Sequence, residues 1–150
     1  GVRAAIGSIE EEIRPGAFAE SIASGRDILA LVDHDPHALL ARTRSGSLRL
    51  KEDTRGLAFD LDLPDTSEGR DILALADRDD LGGMSFGFSI PQGGESRTNR
   101  VRLLERVSLY EISVIKAFPA YEGTVVSARS RPGDAGLRLD HARRYLEALK

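Results

Sequence analysis

Apolar and polar residues alternate most clearly over residues 47–64, SLRLKEDTRGLAFDLDLP. There Leu48 and Leu50, then Leu57, Phe59, Leu61 and Leu63, stand between polar neighbours on either side of a turn at 52–56. A period of two predicts a β-hairpin with one wet face. MSFGFSI repeats the pattern, with Met84, Phe86, Phe88 and Ile90 on one face and Ser85, Gly87 and Ser89 on the other. Residues 101–116 return to strand character, and in SLYEISVI strict alternation puts Glu111 on the face of Leu109, Ser113 and Ile115. Val125 and Val126 suggest one more short strand. Helical spacing is sparser. AFAESIAS, with Phe18 and Ile22, reads as a short helix ended by Gly25, and LRLDHARRYLEALK as an amphipathic basic helix bearing Leu139, Ala142, Leu146 and Leu149.

The heptapeptide GRDILAL occurs twice, at 25–31 and 69–75, and its two contexts differ. The first copy runs into VDHDP, where Pro36 biases Asp35 to an extended conformation. That copy reads as a strand with Ile28, Ala30, Val32 and His34 on one face. The second copy follows DTSE, whose Asp65, Thr66 or Ser67 can cap a helix with Glu68 near its positive end. Ile72, Leu75 and Ala76 then share a stripe, and Gly82 and Gly83 stop the helix. Seven residues of propensity yield to flanking context. Because 36–65 and 80–109 share no similarity, the repeat is not a duplicated module. PQGGESRTNR, at 91–100, reads as a mobile polar loop.

A length of 150 residues suits one core and is too short for two ordinary ones. With 41% hydrophobic and 30% charged residues, and with no long apolar run or secretory signal, the chain reads as a soluble cytosolic domain that neither enters nor crosses a membrane. Having no cysteine, it has no disulfide, no thiolate catalysis and no cysteine-bound zinc. A net charge of -3 offers no broad attraction for nucleic acid.

Ser85 follows two glycines and points away from the apolar face of its strand, and the glycines could leave N–H groups free to stabilise an oxyanion. A serine hydroxyl needs a base within hydrogen-bond reach, and His34 is the one histidine in a core-like segment. From spacing alone the same two residues better suit a polar position on a sheet face and a strand-end histidine bonded to a carboxylate. Glu111 is costly to bury without a partner. It could orient a histidine, or pair with Arg102 or Arg106. His34 and His37 in HDPH could also ligate a metal, but no convincing third and fourth ligands accompany them. No phosphate-binding glycine loop is present.

The ordered set IRPGAF, HDP, hairpin, helical GRDILAL, GGMSFGF, LYEISVI and FPAYEGTVV resembles the prohead maturation proteases of tailed bacteriophages, from residue 12 to about 128. These are serine peptidases whose barrel is similar to that of herpesvirus assemblin. The resemblance implies a mainly β, α+β fold: a mostly antiparallel β-barrel with flanking helices over 1–128. Beyond it the change of composition reads as a linker, RSRPGDAG, and a C-terminal helix over 129–150. For the site, the resemblance implies Ser85 as nucleophile, His34 as general base and Glu111 as the third, orienting residue, with no cofactor. The expected substrate is the phage major capsid protein or its scaffold segment, and the chain itself, inside the immature prohead in the host cytoplasm. The 91–100 loop and the tail helix are candidates for substrate or partner contact, and a homo-oligomer is one possible active form. The alternative is a non-catalytic capsid-assembly or scaffolding module that retains the barrel.

Overall fold

The structure, a computed structural model, describes residues 2–6, 9–118, 128–130 and 137–140. Its strands are β1 (Val2–Ile6), β2 (Ile9–Ile13), β3 (Leu29–Val32), β4 (Asp35–Arg42), β5 (Leu48–Asp53) and β6 (Gly56–Asp62), followed by β7 (Gly83–Ser89), β8 (Glu95–Thr98), β9 (Val101–Leu104), β10 (Ser108–Ile115), β11 (Ala128–Ser130) and β12 (Leu137–Asp140). Two helices, α1 (Ala19–Ala23) and α2 (Ser67–Asp77), interrupt them. The mainly β expectation holds, and apart from the parallel β3–β10 and β2–β9 pairs the ladders are antiparallel.

The closed barrel is not formed by the described residues. Their strands lie in three four-stranded sheets, ordered β1-β2-β9-β8, β4-β3-β10-β7 and β11-β12-β6-β5. At one sheet edge β4 carries Pro36, which has no N–H to give a further strand.

The 47–64 pattern becomes the β5–β6 hairpin, with Asp53 opposite Gly56 across a two-residue turn. Leu48, Phe59 and Leu61 enter the core, while Asp60 and Asp62 hold Arg49 on the wet face. Phe18, Ile28, Leu48, Leu61, Ile72, Leu104, Leu109 and Val114 are the largest fully buried apolar side chains. Each contributes about 1.5–3 kcal/mol of burial.

Both GRDILAL copies fold as their contexts predict, and each glycine has its own reason. Gly25 adopts φ +69° where α1 ends, whereas a side chain at Gly69 would collide with the Pro64 carbonyl oxygen. Thr66 is the cap that α2 selects, its hydroxyl accepting from the Gly69 N–H at 3.2 Å. The helix stops at Asp77, before Gly82 and Gly83, where Asp79 turns to φ +58°. α1 has no cap of its own. Instead Glu52, on β5, accepts from Gly16 N–H at 2.8 Å and Phe18 N–H at 3.2 Å, and its partial burial raises its pKa above the usual carboxylate value.

Two expectations are corrected. Residues 91–100 form no open loop, because Glu95–Thr98 pairs with β9 as a hairpin arm, and its uniformly exposed side chains leave no alternation to read. Residues 137–140 are a strand in register with β6 rather than the start of a helix, so the backbone of Leu139 pairs with that of Leu61 in a ladder whose hydrogen bonds override helical spacing. The rest of that predicted helix, with Ala142, Leu146 and Leu149, lies outside the described residues, as do Val125 and Val126. The Glu10–Glu12 run, which shows no apolar alternation, lies in strand β2 and leads into a turn at 15–18; Glu11 is 3% exposed and meets Arg102 on neighbouring β9.

Candidate active site

β3 lies between β4 and β10 and is buried on both faces. Ala30 and Val32 join Ile112 and Val114 of β10 and Met84 of β7 in the main core. The opposite face of the same three strands carries Leu31, Ser113 and Ser85 side by side, with Glu111 and Gly87 one rung further along.

A bulge in β10 makes this face. Leu109 pairs with Phe88 and Glu111 with Gly87, so Tyr110 has no rung of its own. The extra residue reverses which side chains point inward. Leu109 therefore packs into the core, and Glu111 stands with Ser113 and Ile115 on the other side, without the Leu109 that strict alternation assigns to its face. Tyr110 leans outward, its hydroxyl 2.7 Å from Ser89 Oγ and Arg26 4.7 Å above its ring.

His34 is not the last residue of a strand. With Asp33 it forms the two-residue turn between β3 and β4, at φ +49° and +59°. Two successive positive φ values are the type I′ hairpin signature, with Asp tolerating the first position readily and His less so. Three bonds fasten the turn to β10 and beyond. Asp33 N–H donates to the Val114 carbonyl at 3.0 Å, Asp33 Oδ1 accepts from Lys116 N–H at 3.0 Å, and His34 N–H donates to Ser113 Oγ at 3.0 Å. Together these offset the roughly 1–2 kcal/mol per residue that left-handed backbone costs.

From this turn the imidazole reaches back over the site face. Its Nε2 lies 2.9 Å from Ser85 Oγ, and its Nδ1 lies 2.5 Å from Glu111 Oε1. An ionised carboxylate only accepts, so Nδ1 carries the proton and the Nε2 lone pair faces the serine hydroxyl. Ser85 is 5% exposed, the Glu111 side chain 14% and the His34 side chain 45%. The hydroxyl thus sits at the floor of the face and the base at its rim. A serine, an imidazole and a carboxylate joined in this order can draw a proton from the hydroxyl as it attacks an electrophilic carbon.

All three residues singled out from sequence are therefore brought together. Arg102 and Arg106, the other candidate partners of Glu111, are engaged elsewhere: Arg102 with Glu11 and Glu95, and Arg106 with Glu20 and the Gln92 carbonyl. The paired-histidine reading fares worse, because both ring nitrogens of His34 already have protein partners, and no cluster of three or more metal-ligating side chains occurs among the described residues. One of the glycines before Ser85 does not serve as first supposed. Gly82 N–H donates to the Ile115 carbonyl at 2.8 Å, so it is not free for an oxyanion, and a side chain there would strike the Ala117 carbonyl.

Two site residues were missed. Ser113 is fully buried and bonded to both Glu111 and His34; a lone serine in an alternating strand carries no signal. Gly87 lies directly under the Glu111 carboxylate, where a Cβ would stand 2.5 Å from Oε1. Its signal was present, since an isolated glycine inside a strand marks a close approach. Among the described residues, no helix is long and apolar enough to cross a membrane. No curated protein and no solved structure matches the chain. A family model described as caudovirus prohead serine protease matches residues 2–138.

Proposed function

The chain belongs to the caudovirus prohead serine protease family, and from that premise we propose that Ser85 is its nucleophile, His34 its general base and acid, and Glu111 the carboxylate that orients the histidine. In the first half-reaction Nε2 of His34 takes the Ser85 proton while Oγ bonds to the scissile carbonyl carbon. The imidazolium then gives that proton to the departing amine, leaving an acyl-serine. In the second half-reaction His34 takes a proton from water, the hydroxide displaces Oγ, and the proton returns to Ser85. Glu111 stays ionised throughout, holding Nδ1–H and stabilising the transient imidazolium.

The substrate we propose is the capsid precursor or its scaffold segment, and the chain itself, cut inside the immature shell within the host cytoplasm. The single observation that supports this reading most is the unbroken hydrogen-bond path Ser85–His34–Glu111, assembled from three separate strands or turns.

A fluorophosphonate probe, with the modified residue located by mass spectrometry, tests the chemistry. Ser85 is the residue labelled; His34→Ala cuts the rate by up to about 10⁶-fold, and chelators leave it unchanged. Co-expression with the capsid precursor tests the substrate. The precursor is shortened by the wild type and stays full length with Ser85→Ala; equal shortening by both would remove Ser85 as nucleophile. A folded, shell-binding protein that is never labelled would instead be the non-catalytic assembly module.

A further inference from the structure

Ser113 contributes nothing to the proton path from Ser85 to Glu111, yet it is 0% exposed and polar. A buried hydroxyl is costly unless satisfied, and an alanine or valine would suit this strand position equally well. Its two bonds explain its presence. Oγ–H donates to Glu111 Oε2 at 2.7 Å, and the same oxygen accepts from His34 N–H at 3.0 Å.

We propose that Ser113 is a positioning residue, whose single hydroxyl fixes both ends of the His34–Glu111 bond and thereby aims Nε2 at Ser85. The two carboxylate oxygens of Glu111 then have separate tasks. Oε1 holds the imidazole, and Oε2 is tied to Ser113, so the carboxylate cannot rotate about its terminal bond away from Nδ1. At the other end, the backbone of His34 at φ +59° is anchored by the same oxygen. Ser113 also stands directly opposite Ser85 in the β10–β7 ladder, so the anchor and the attacking hydroxyl share one rung. Ser113 is not itself a second nucleophile. A hydroxyl has one proton to donate, and this one goes to a carboxylate, while Nε2 is turned to Ser85.

This inference rests on the proposed roles of Ser85, His34 and Glu111, and the experiment separates the two. Phosphonylation of Ser85 is resolved into KI and kinact for wild type, His34→Ala, Ser113→Ala and Ser113→Cys, alongside the low-field proton resonance of His34 Nδ1–H. Ser113→Ala is expected to lower kinact about 10- to 100-fold with KI within about twofold, and to broaden or abolish the Nδ1–H resonance in a protein that still melts cooperatively. Should Ser113→Ala fail to fold, Ser113→Cys is the reporter. It nearly keeps the buried volume but bonds weakly, and is expected to lower kinact about 10-fold. If labelling persists in His34→Ala, the proposed function itself is wrong. If His34→Ala abolishes labelling while a folded Ser113 variant keeps wild-type kinact and an unchanged resonance, the positioning role alone is overturned.

Discussion

Gly87→Ala is the most economical way to disturb the site without replacing any group in its proton path. A Cβ at this position would lie 2.5 Å from Glu111 Oε1, 3.1 Å from Cγ and 3.2 Å from Cδ, whereas ordinary contact begins at 3.4 Å. The oxygen must therefore retreat by 0.9 Å, the difference between 3.4 and 2.5. Because the stem is crowded as well as the tip, rotating the carboxylate does not relieve the clash. Moving Oε1 that far stretches its 2.5 Å contact with His34 Nδ1 toward 3.4 Å, outside the range of an effective N–H···O bond. A displacement of about 1 Å at a positioned group costs about 10²-fold in rate, and loss of the orienting carboxylate's function about 10⁴-fold. The expected loss lies between these, about 3–5 kcal/mol of transition-state stabilisation. Stability should fall by much less than activity, since the clash costs about 1–3 kcal/mol while alanine gains about 0.5–1 kcal/mol over glycine inside a strand. The assay is the rate of Ser85 phosphonylation by intact mass, with thermal melting in parallel. Gly87→Ala in a Glu111→Ala background should cost nothing further, because the clashing carboxylate is gone. A wild-type rate for the folded single variant, or additive losses in the double, would refute the steric account.

The two heptapeptide glycines should respond unequally to alanine. Gly25→Ala meets open space and only the strain of φ +69°, about 1 kcal/mol or about 3 °C in melting temperature, whereas Gly69→Ala drives a methyl into the Pro64 backbone. Gly69→Ala should lose at least twice as much despite a helix-propensity gain of about 1 kcal/mol, and the reverse order of melting temperatures would contradict this. Glu52 is a pH-dependent fastening for α1. Its folded-state pKa is raised above 4.5, chiefly by burial, so the folded protein holds this proton more tightly than the unfolded chain. Its contribution therefore favours folding most at low pH and declines as pH rises through the interval just above 4.5. The stability of wild type minus that of Glu52→Gln should fall across that interval and stay flat above it; a flat difference throughout, measured by denaturant titration, would exclude the effect.

What could be read in advance depended on whether a segment's surroundings were uniform. β5, β6 and β7 each have one core face, so alternation of Leu48, Phe59, Leu61, Met84 and Phe86 announces them. β2 was hidden because Glu11 is buried against Arg102, a partner 91 residues away. β8 was hidden because nothing in Glu95–Thr98 is buried at all. At the site, Ser85, His34 and Glu111 were legible as residue types, while their geometry was not. His34 reaches the serine from a type I′ turn held by contacts with β10, and Glu111 joins it through an unpaired residue. Both devices are tertiary, and neither leaves a local pattern.

Tyr110 is the surplus residue of β10. Leu109 and Glu111 already pair with consecutive residues of β7, so a chain lacking Tyr110 would keep Leu109 toward the core and Glu111 and Ser113 toward Ser85 by ordinary alternation. The same is not true two residues further on. Without Ile112, Glu111 and Ser113 would become neighbours on opposite faces, and one of them would leave the site while every chemical group remained in the chain. Inheritance of this site therefore depends on conserving a number between 111 and 113 as much as on conserving side chains, and position 110 is where the count is free to change.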